Sequence, residues 1–164
     1  MTRLADAGAE VALFASNTPH IVFAEIEAAA PIPLVSIVRT ARDEAAALGL
    51  RRLLLLGNRF LMRASVYAGE FALAGLEVVV PNDTDIAFVD RVYQTELIYG
   101  IVDDASRDGV RRVIDRVATG YAIDGVILGG TELPLLLPMA SHGKYPLLDT
   151  SRIHVAGAIA RCWP

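Results

Sequence analysis

Cysteine is nearly absent from this chain of 164 residues: Cys162, third from the end, is the only one. One thiol cannot close an internal disulfide, and no signal-like segment precedes the first predicted strand, so a reducing, cytoplasmic compartment is expected. Cys162 closes a helical pattern near the terminus and reads as incidental. Long uninterrupted apolar runs are also missing. Hydrophobic residues make up 54% of the chain and mean hydropathy is +0.44, yet no stretch of spanning length is free of charge. The best candidate, Tyr121–Ala140, is interrupted by Asp124, Glu132, glycines and prolines, so no membrane partner is expected. Basic surface is the third lack. Net charge is −4 and the isoelectric point about 5.3, with Arg51-Arg52 and Arg111-Arg112 as isolated pairs on solvated faces, which argues against a nucleic-acid partner. Low-complexity tracts and long linkers are absent, so any second lobe must arise by chain crossing.

What the chain does contain is apolar runs alternating with amphipathic stretches, the pattern of βα units around a parallel sheet. Val/Leu/Ile runs without alternation fit strands buried on both faces. Strands are predicted over Glu10–Ala15, Pro33–Ile37, Arg52–Leu56, Glu77–Val80, Ile123–Leu128 and Pro146–Leu148. Helices are predicted over His20–Ala29, Thr40–Leu48, Leu61–Ala74, Ile86–Ile101, Ser106–Thr119 and Thr150–Arg161. Asn82-Asp83-Thr84 and Asp149-Thr150-Ser151 carry capping oxygens, and Gly49, Gly75 and Gly120 stand where a left-handed residue ends a helix. Met1–Gly8 reads as the tail of a helix running into the first strand, as if the chain entered its fold partway through.

Two segments repeat one design. Val11–Ala15 is followed by Ser16-Asn17-Thr18-Pro19-His20, and Gly125–Gly129 by Gly130-Thr131-Glu132-Leu133-Pro134. Each is a buried strand, a small residue, polar residues, then proline in the opening turn of a helix. Free N–H groups at a helix start suit a carboxylate, small residues admit a ligand to the backbone, and Asn17, Thr18 and Thr131 add side-chain donors. Both turns sit at the carboxyl ends of strands, where open α/β sheets bind ligands. Either turn alone could be a set of helix caps; the repetition favours a shared site for a small carboxylate or amino acid.

These turns, Ser16–His20 and Leu128-Gly129-Gly130-Thr131-Glu132-Leu133-Pro134-Leu135-Leu136, resemble the two signature turns of the aspartate/glutamate racemase superfamily, most closely its amino-acid racemase branch. Leu56–Met62, Leu76–Pro81 and Leu148–His154 extend the resemblance over nearly the whole chain. It implies two pseudo-symmetric α/β lobes with the site in the cleft between them: residues 1–37 plus 146–164 as the first lobe, short at its start, and 38–145 as the second. It implies no cofactor and no metal. One thiol removes the substrate Cα proton and a second returns one to the opposite face, because a thiol can be tuned toward neutrality. In this chain the two thiol positions are Ser16 and Gly130, and Asn58 and Leu61 stand where the middle motif carries threonines.

The remaining candidates follow from position. His154, near the cleft in the implied fold, and His20, one helical turn from Ser16, are possible bases; Glu132 is read as an orienting group or an ammonium partner, or as a carboxylate complementing the helix dipole. Arg59 and Arg107 are cations that could meet a distal carboxylate, and His142 is placed on the surface. The expected function is cofactor-independent proton transfer at the Cα of an acidic amino acid. The alternatives are an inactive paralogue that binds a carboxylate and a one-acid decarboxylase or isomerase. The resemblance also implies an opening strand ahead of Met1, so an open edge beside Glu10–Ala15, upstream coding sequence, and a homodimer covering that edge are expected.

Overall fold

A computed structural model describes residues 1–162. The chain opens with a short helix, α1 (Thr2–Asp6), and a strand, β1 (Ala12–Leu13). A 3-10 turn over Thr18–Val22 leads into α2 (Phe23–Ala29), then β2 (Leu34–Val35) and α3 (Ile37–Ala47). Strands β1 and β2 form a parallel pair of their own. Beyond them come β3 (Arg52–Leu56), α4 (Arg59–Arg63), α5 (Val66–Ala72), β4 (Glu77–Val79), α6 (Asp83–Thr95), α7 (Asp104–Gly120), β5 (Gly125–Leu128), α8 (Leu133–Leu136), β6 (Ser141–His142), β7 (Tyr145–Asp149) and α9 (Thr150–Cys162).

The larger sheet has the order β4-β3-β5-β7-β6 and is parallel except for β6. Its leucine runs show why no polar alternation marks the central strands. Leu54 and Leu56 of β3 enter one core with Val126 of β5, Ile86 and Val89 of α6, and Val113 of α7. Leu53 and Leu55 enter the other, with Ile127, Val38 of α3 and Phe71 of α5. Both faces of the sheet are therefore covered by helices, as the uninterrupted apolar runs required. A third, smaller cluster of Ala12, Phe23 and Leu34 sits beneath the β1–β2 pair.

Local chemistry sets the helix starts. Ser36, Asn58, Asn82 and Asp103 each accept a backbone N–H from the first turn of the helix that follows. The Ser36 cap starts α3 at Ile37, three residues before the predicted start, and shortens the preceding strand. Gly49 and Gly75 end helices with φ of +70°, as predicted. Gly120 does not: it is the last residue of α7 and has no positive φ. The helix expected over Leu61–Ala74 divides in two at Ala64 and Ser65, because Ala64 is extended (φ −81°, ψ 149°).

The strand assigned to the first lobe belongs elsewhere. β7 pairs in parallel with β5, Val126 opposite Leu147 and Ile127 opposite Leu148, so the expected boundary at 145/146 falls inside a strand of the larger sheet. Leu147 fills one core and Leu148 the other, and that two-faced burial fixes the position. α9 then packs on α3 and touches β2. Among the described residues no helix is long and apolar enough to cross a membrane.

Candidate active site

The two repeated turns differ in local form. After Ser16 the chain makes a five-residue 3-10 turn with Pro19 at its start; after Gly130 it makes the four-residue α8 with Pro134 at its start. Neither is the long helix that the dipole argument assumed. Asn17 has helical backbone angles and no capping bond, which releases its side chain for other partners.

Those partners tie the first turn to the end of the larger sheet. Asn17, buried, accepts a hydrogen bond from the Tyr67 hydroxyl at 2.5 Å and donates to Thr150 Oγ1 at 3.2 Å. Thr150 donates in turn to the Leu128 carbonyl at 2.8 Å, at the last residue of β5 and two before Gly130. Asn58 Nδ2 donates to Thr18 Oγ1 at 2.9 Å, while its Oδ1 caps Leu61. Ser16–Thr18 thus rests on groups from the ends of β3 and β5 and from the start of α9. The loops after β3 and β5 are themselves in close contact: a Cβ on Gly57 would lie 3.0 Å from the Gly129 carbonyl oxygen, and one on Gly129 would lie 2.8 Å from that of Leu56. Glycine is needed at both because the backbones approach so closely.

The second turn carries its own polar cluster. Glu132 Oε2 accepts from Thr131 Oγ1 at 2.8 Å and from the hydroxyl of Tyr93 on α6. Burial, reinforced by the bond to Glu132 and its negative charge, pushes the Tyr93 phenol up, so it stays protonated and donates. The Tyr93 ring fills the space over Gly130: a Cβ there would lie 2.5 Å from Tyr93 Cε2 and 2.9 Å from its hydroxyl oxygen.

The two candidate histidines are committed to backbone. Nδ1 of His20 donates to the Ser16 carbonyl at 3.0 Å, and Nε2 accepts the Ile37 N–H at 3.2 Å. Burial lowers its pKa to about 4, although the Ser16 carbonyl pulls upward and His154 adds a smaller lowering. His154 lies 2.9 Å by Nε2 from the Val35 carbonyl, and burial lowers its pKa against the opposing pull of that carbonyl. Both rings therefore link elements of the fold, with no lone pair of His20 left to take a substrate proton.

The candidate cations are paired as well. Arg59 gives Asp90 its backbone N–H at 2.8 Å and two guanidinium bonds at 3.1 and 2.8 Å. Burial would raise the Asp90 carboxyl, but those bonds outweigh it and hold the group below its ordinary value. Arg107 donates to the Leu136 carbonyl at 2.8 Å and pairs with Asp104. His142 lies in β6, 2.7 Å from Asp115, and Cys162 is exposed at the end of α9. Among the described residues no cluster of three or more His, Cys, Asp or Glu side chains could hold a metal.

The structure therefore brings Asn17, Thr18 and Asn58 together at one place and Thr131 and Glu132 at another, beside Gly130. It adds three residues that sequence reasoning missed as site components: Tyr67, Tyr93 and, beyond its capping position, Thr150. Both tyrosines fall at apolar positions of their helices and read as core. The available signal was that a buried phenol requires a hydrogen-bond partner.

A family model described as Asp/Glu/hydantoin racemase matches residues 1–158. Among solved structures, a candidate Asp/Glu racemase from Yersinia pestis is 35% identical, with a TM-score of 0.87 over 99% of this chain and 70% of that one. An aspartate racemase homologue from Pyrococcus horikoshii OT3 is also 35% identical, with a TM-score of 0.86 over 99% of this chain and 71% of that one. An aspartate racemase from Picrophilus torridus, at 19% identity and a TM-score of 0.75 over 98% of this chain and 65% of that one, shares the fold.

Proposed function

Because the chain belongs to the Asp/Glu/hydantoin racemase family, we propose that it binds a small acidic amino acid, of aspartate or glutamate type, at its two turns. There it exchanges the Cα proton without a cofactor. One observation carries the reading: the Asn17–Thr150–Leu128 chain of hydrogen bonds seats the first turn on the end of β5, beside the second.

The chemistry at this site is one-sided. Racemisation needs a group that takes the Cα proton from one face and another that supplies one to the opposite face. Ser16 offers a hydroxyl on the partly exposed first turn, whereas Gly130 offers no side chain. A serine needs a base to be useful, and His20, the nearest in sequence, is already bonded at both ring nitrogens. Exchange is therefore expected to be slow and confined to one enantiomer. A second reading, binding without turnover, draws support from the Tyr93 ring that fills the space over Gly130.

The test is Cα deuterium incorporation, followed by proton NMR, for both enantiomers of aspartate and glutamate in D2O. Slow exchange of one enantiomer supports the main reading. Exchange of both at similar rates would mean that other groups transfer the proton. Binding with no exchange at all leaves the second reading, and no binding of either acid removes both.

A further inference from the structure

Glu132 is a half-buried carboxylate whose circumstances are not those of a helix cap. It stands at the N-cap of α8 but makes no side-chain capping bond, and a four-residue helix has little dipole to complement. Two donors, the Tyr93 hydroxyl and Thr131 Oγ1, converge on the same oxygen, Oε2. Such bonds fix the direction of the carboxylate. A carboxylate aimed in this way is a ready acceptor for a cation. Yet among the described residues Glu132 has no ion-pair partner, and the candidate cations Arg59 and Arg107 are paired with Asp90 and Asp104 instead.

Tyr93 reaches this position from the core. It lies on the buried face of α6, one turn beyond Asp90, and its ring packs with the core that covers the sheet. The absence of a Cβ at Gly130 lets the ring pass over the second turn to Glu132. Ring and hydroxyl thus have separate tasks: one fills the space over Gly130, the other aims a carboxylate.

We propose that Tyr93 is the positioning residue for an ammonium-binding carboxylate, Glu132, and that the site therefore selects α-amino acids over dicarboxylates of the same length lacking the amino group. The inference rests on the amino-acid-binding reading above and adds the group that recognises the nitrogen. A substrate ammonium supplies the cation that the protein does not, with Oε2 held by Tyr93 and Thr131.

The experiment is calorimetric titration of the whole chain with aspartate and succinate, and with glutamate and glutarate. Wild type, Tyr93→Phe, Glu132→Gln and the double variant are compared. Wild type should prefer each amino acid to its dicarboxylate at least tenfold. Tyr93→Phe keeps the ring in place and should cut that preference roughly three- to tenfold, with dicarboxylate affinity unchanged. Glu132→Gln should do the same, and the double variant should lose little more than either single one, as expected for groups acting through one contact. Equal weakening of both ligand types by Tyr93→Phe, or an unchanged preference, would overturn the inference and leave the amino-acid-binding reading standing. Wild type binding none of the four acids would remove that reading, and this inference with it.

Discussion

Nε2 of His20 accepts the backbone N–H of Ile37 at 3.2 Å, so a histidine in the first turn caps the first residue of α3. The bond requires a neutral ring, and burial supplies one by lowering the pKa from 6.5 to about 4. Between those values the unfolded chain binds the proton more readily than the folded one. The stabilisation is complete above about pH 6.5 and is lost as pH falls toward 4. His154, also lowered by burial, acts in the same direction. Urea melts at a series of pH values should show stability falling by up to about 3 kcal/mol through this window. His20→Ala should flatten much of that slope; an unchanged slope would place the titrating group elsewhere.

Restoring side-chain chemistry at the second turn is harder than restoring it at the first. A Cβ at Gly130 meets the Tyr93 ring at 2.5 Å, so Gly130→Cys must push the ring away from Glu132. Overpacking of this kind costs about 1–3 kcal/mol. Pairing it with Tyr93→Ala should recover part of that loss, giving clear non-additivity in thermal melts. Simple additivity of the two changes would show that the ring moves freely and does not dictate glycine at 130.

Ser16→Cys should be tolerated. Ser16 is partly exposed, and its bond to His20 uses the backbone carbonyl, so stability should stay within about 0.5 kcal/mol of wild type. A thiolate carries protons near neutrality far better than a hydroxyl, and Cα exchange of one enantiomer should quicken. No change in exchange, with binding retained, would mean that residue 16 does not face the substrate Cα.

Where burial alone decides an element, the sequence was readable. The predicted strand Arg52–Leu56 is the observed β3, because a leucine run buried on two faces leaves few other options. Asn82 and Asp149 cap as their chemistry suggested. Partner choice was not readable. Nothing in Pro146–Leu148 says that the strand pairs with β5, since apolar residues would suit either sheet. Asn17, Thr18 and Thr131 were singled out as polar groups at strand ends that would donate to a ligand. In the structure Asn17 donates to Thr150 and Thr131 to Glu132, while Thr18 accepts from Asn58, through contacts up to 133 residues apart along the chain. His20 shows the same limit: a histidine near a turn has the chemistry of a base until its two nitrogens are traced to the Ser16 carbonyl and the Ile37 N–H.

The last prediction concerns how the small β1–β2 pair is held to the rest of the chain. Arg39 on α3 grips Glu27 of α2 through two bonds at 2.6 and 2.8 Å and donates Nε to Glu70 of α5 at 3.2 Å. Its guanidinium also stands 5.3 Å from the Phe23 ring centroid. The bonds to Glu27 raise the Arg39 pKa, with Glu70 adding to the effect. The side chain is 38% exposed, so each ion pair alone should contribute under about 1 kcal/mol. The two-point geometry and the aromatic contact add to that. Arg39→Met keeps the apolar stem and removes the charge, and should cost about 1–2 kcal/mol at low salt. The difference from wild type should shrink in 1 M salt as the pairs are screened. The loss should also be local, since the core under β1 and β2 is small. Amide hydrogen exchange should therefore quicken in Ala12, Leu34 and Val35 while β3 and β5 keep their protection. Equal acceleration in both sheets would show that they open together, and that Arg39 stabilises the whole chain instead of fastening one part to another.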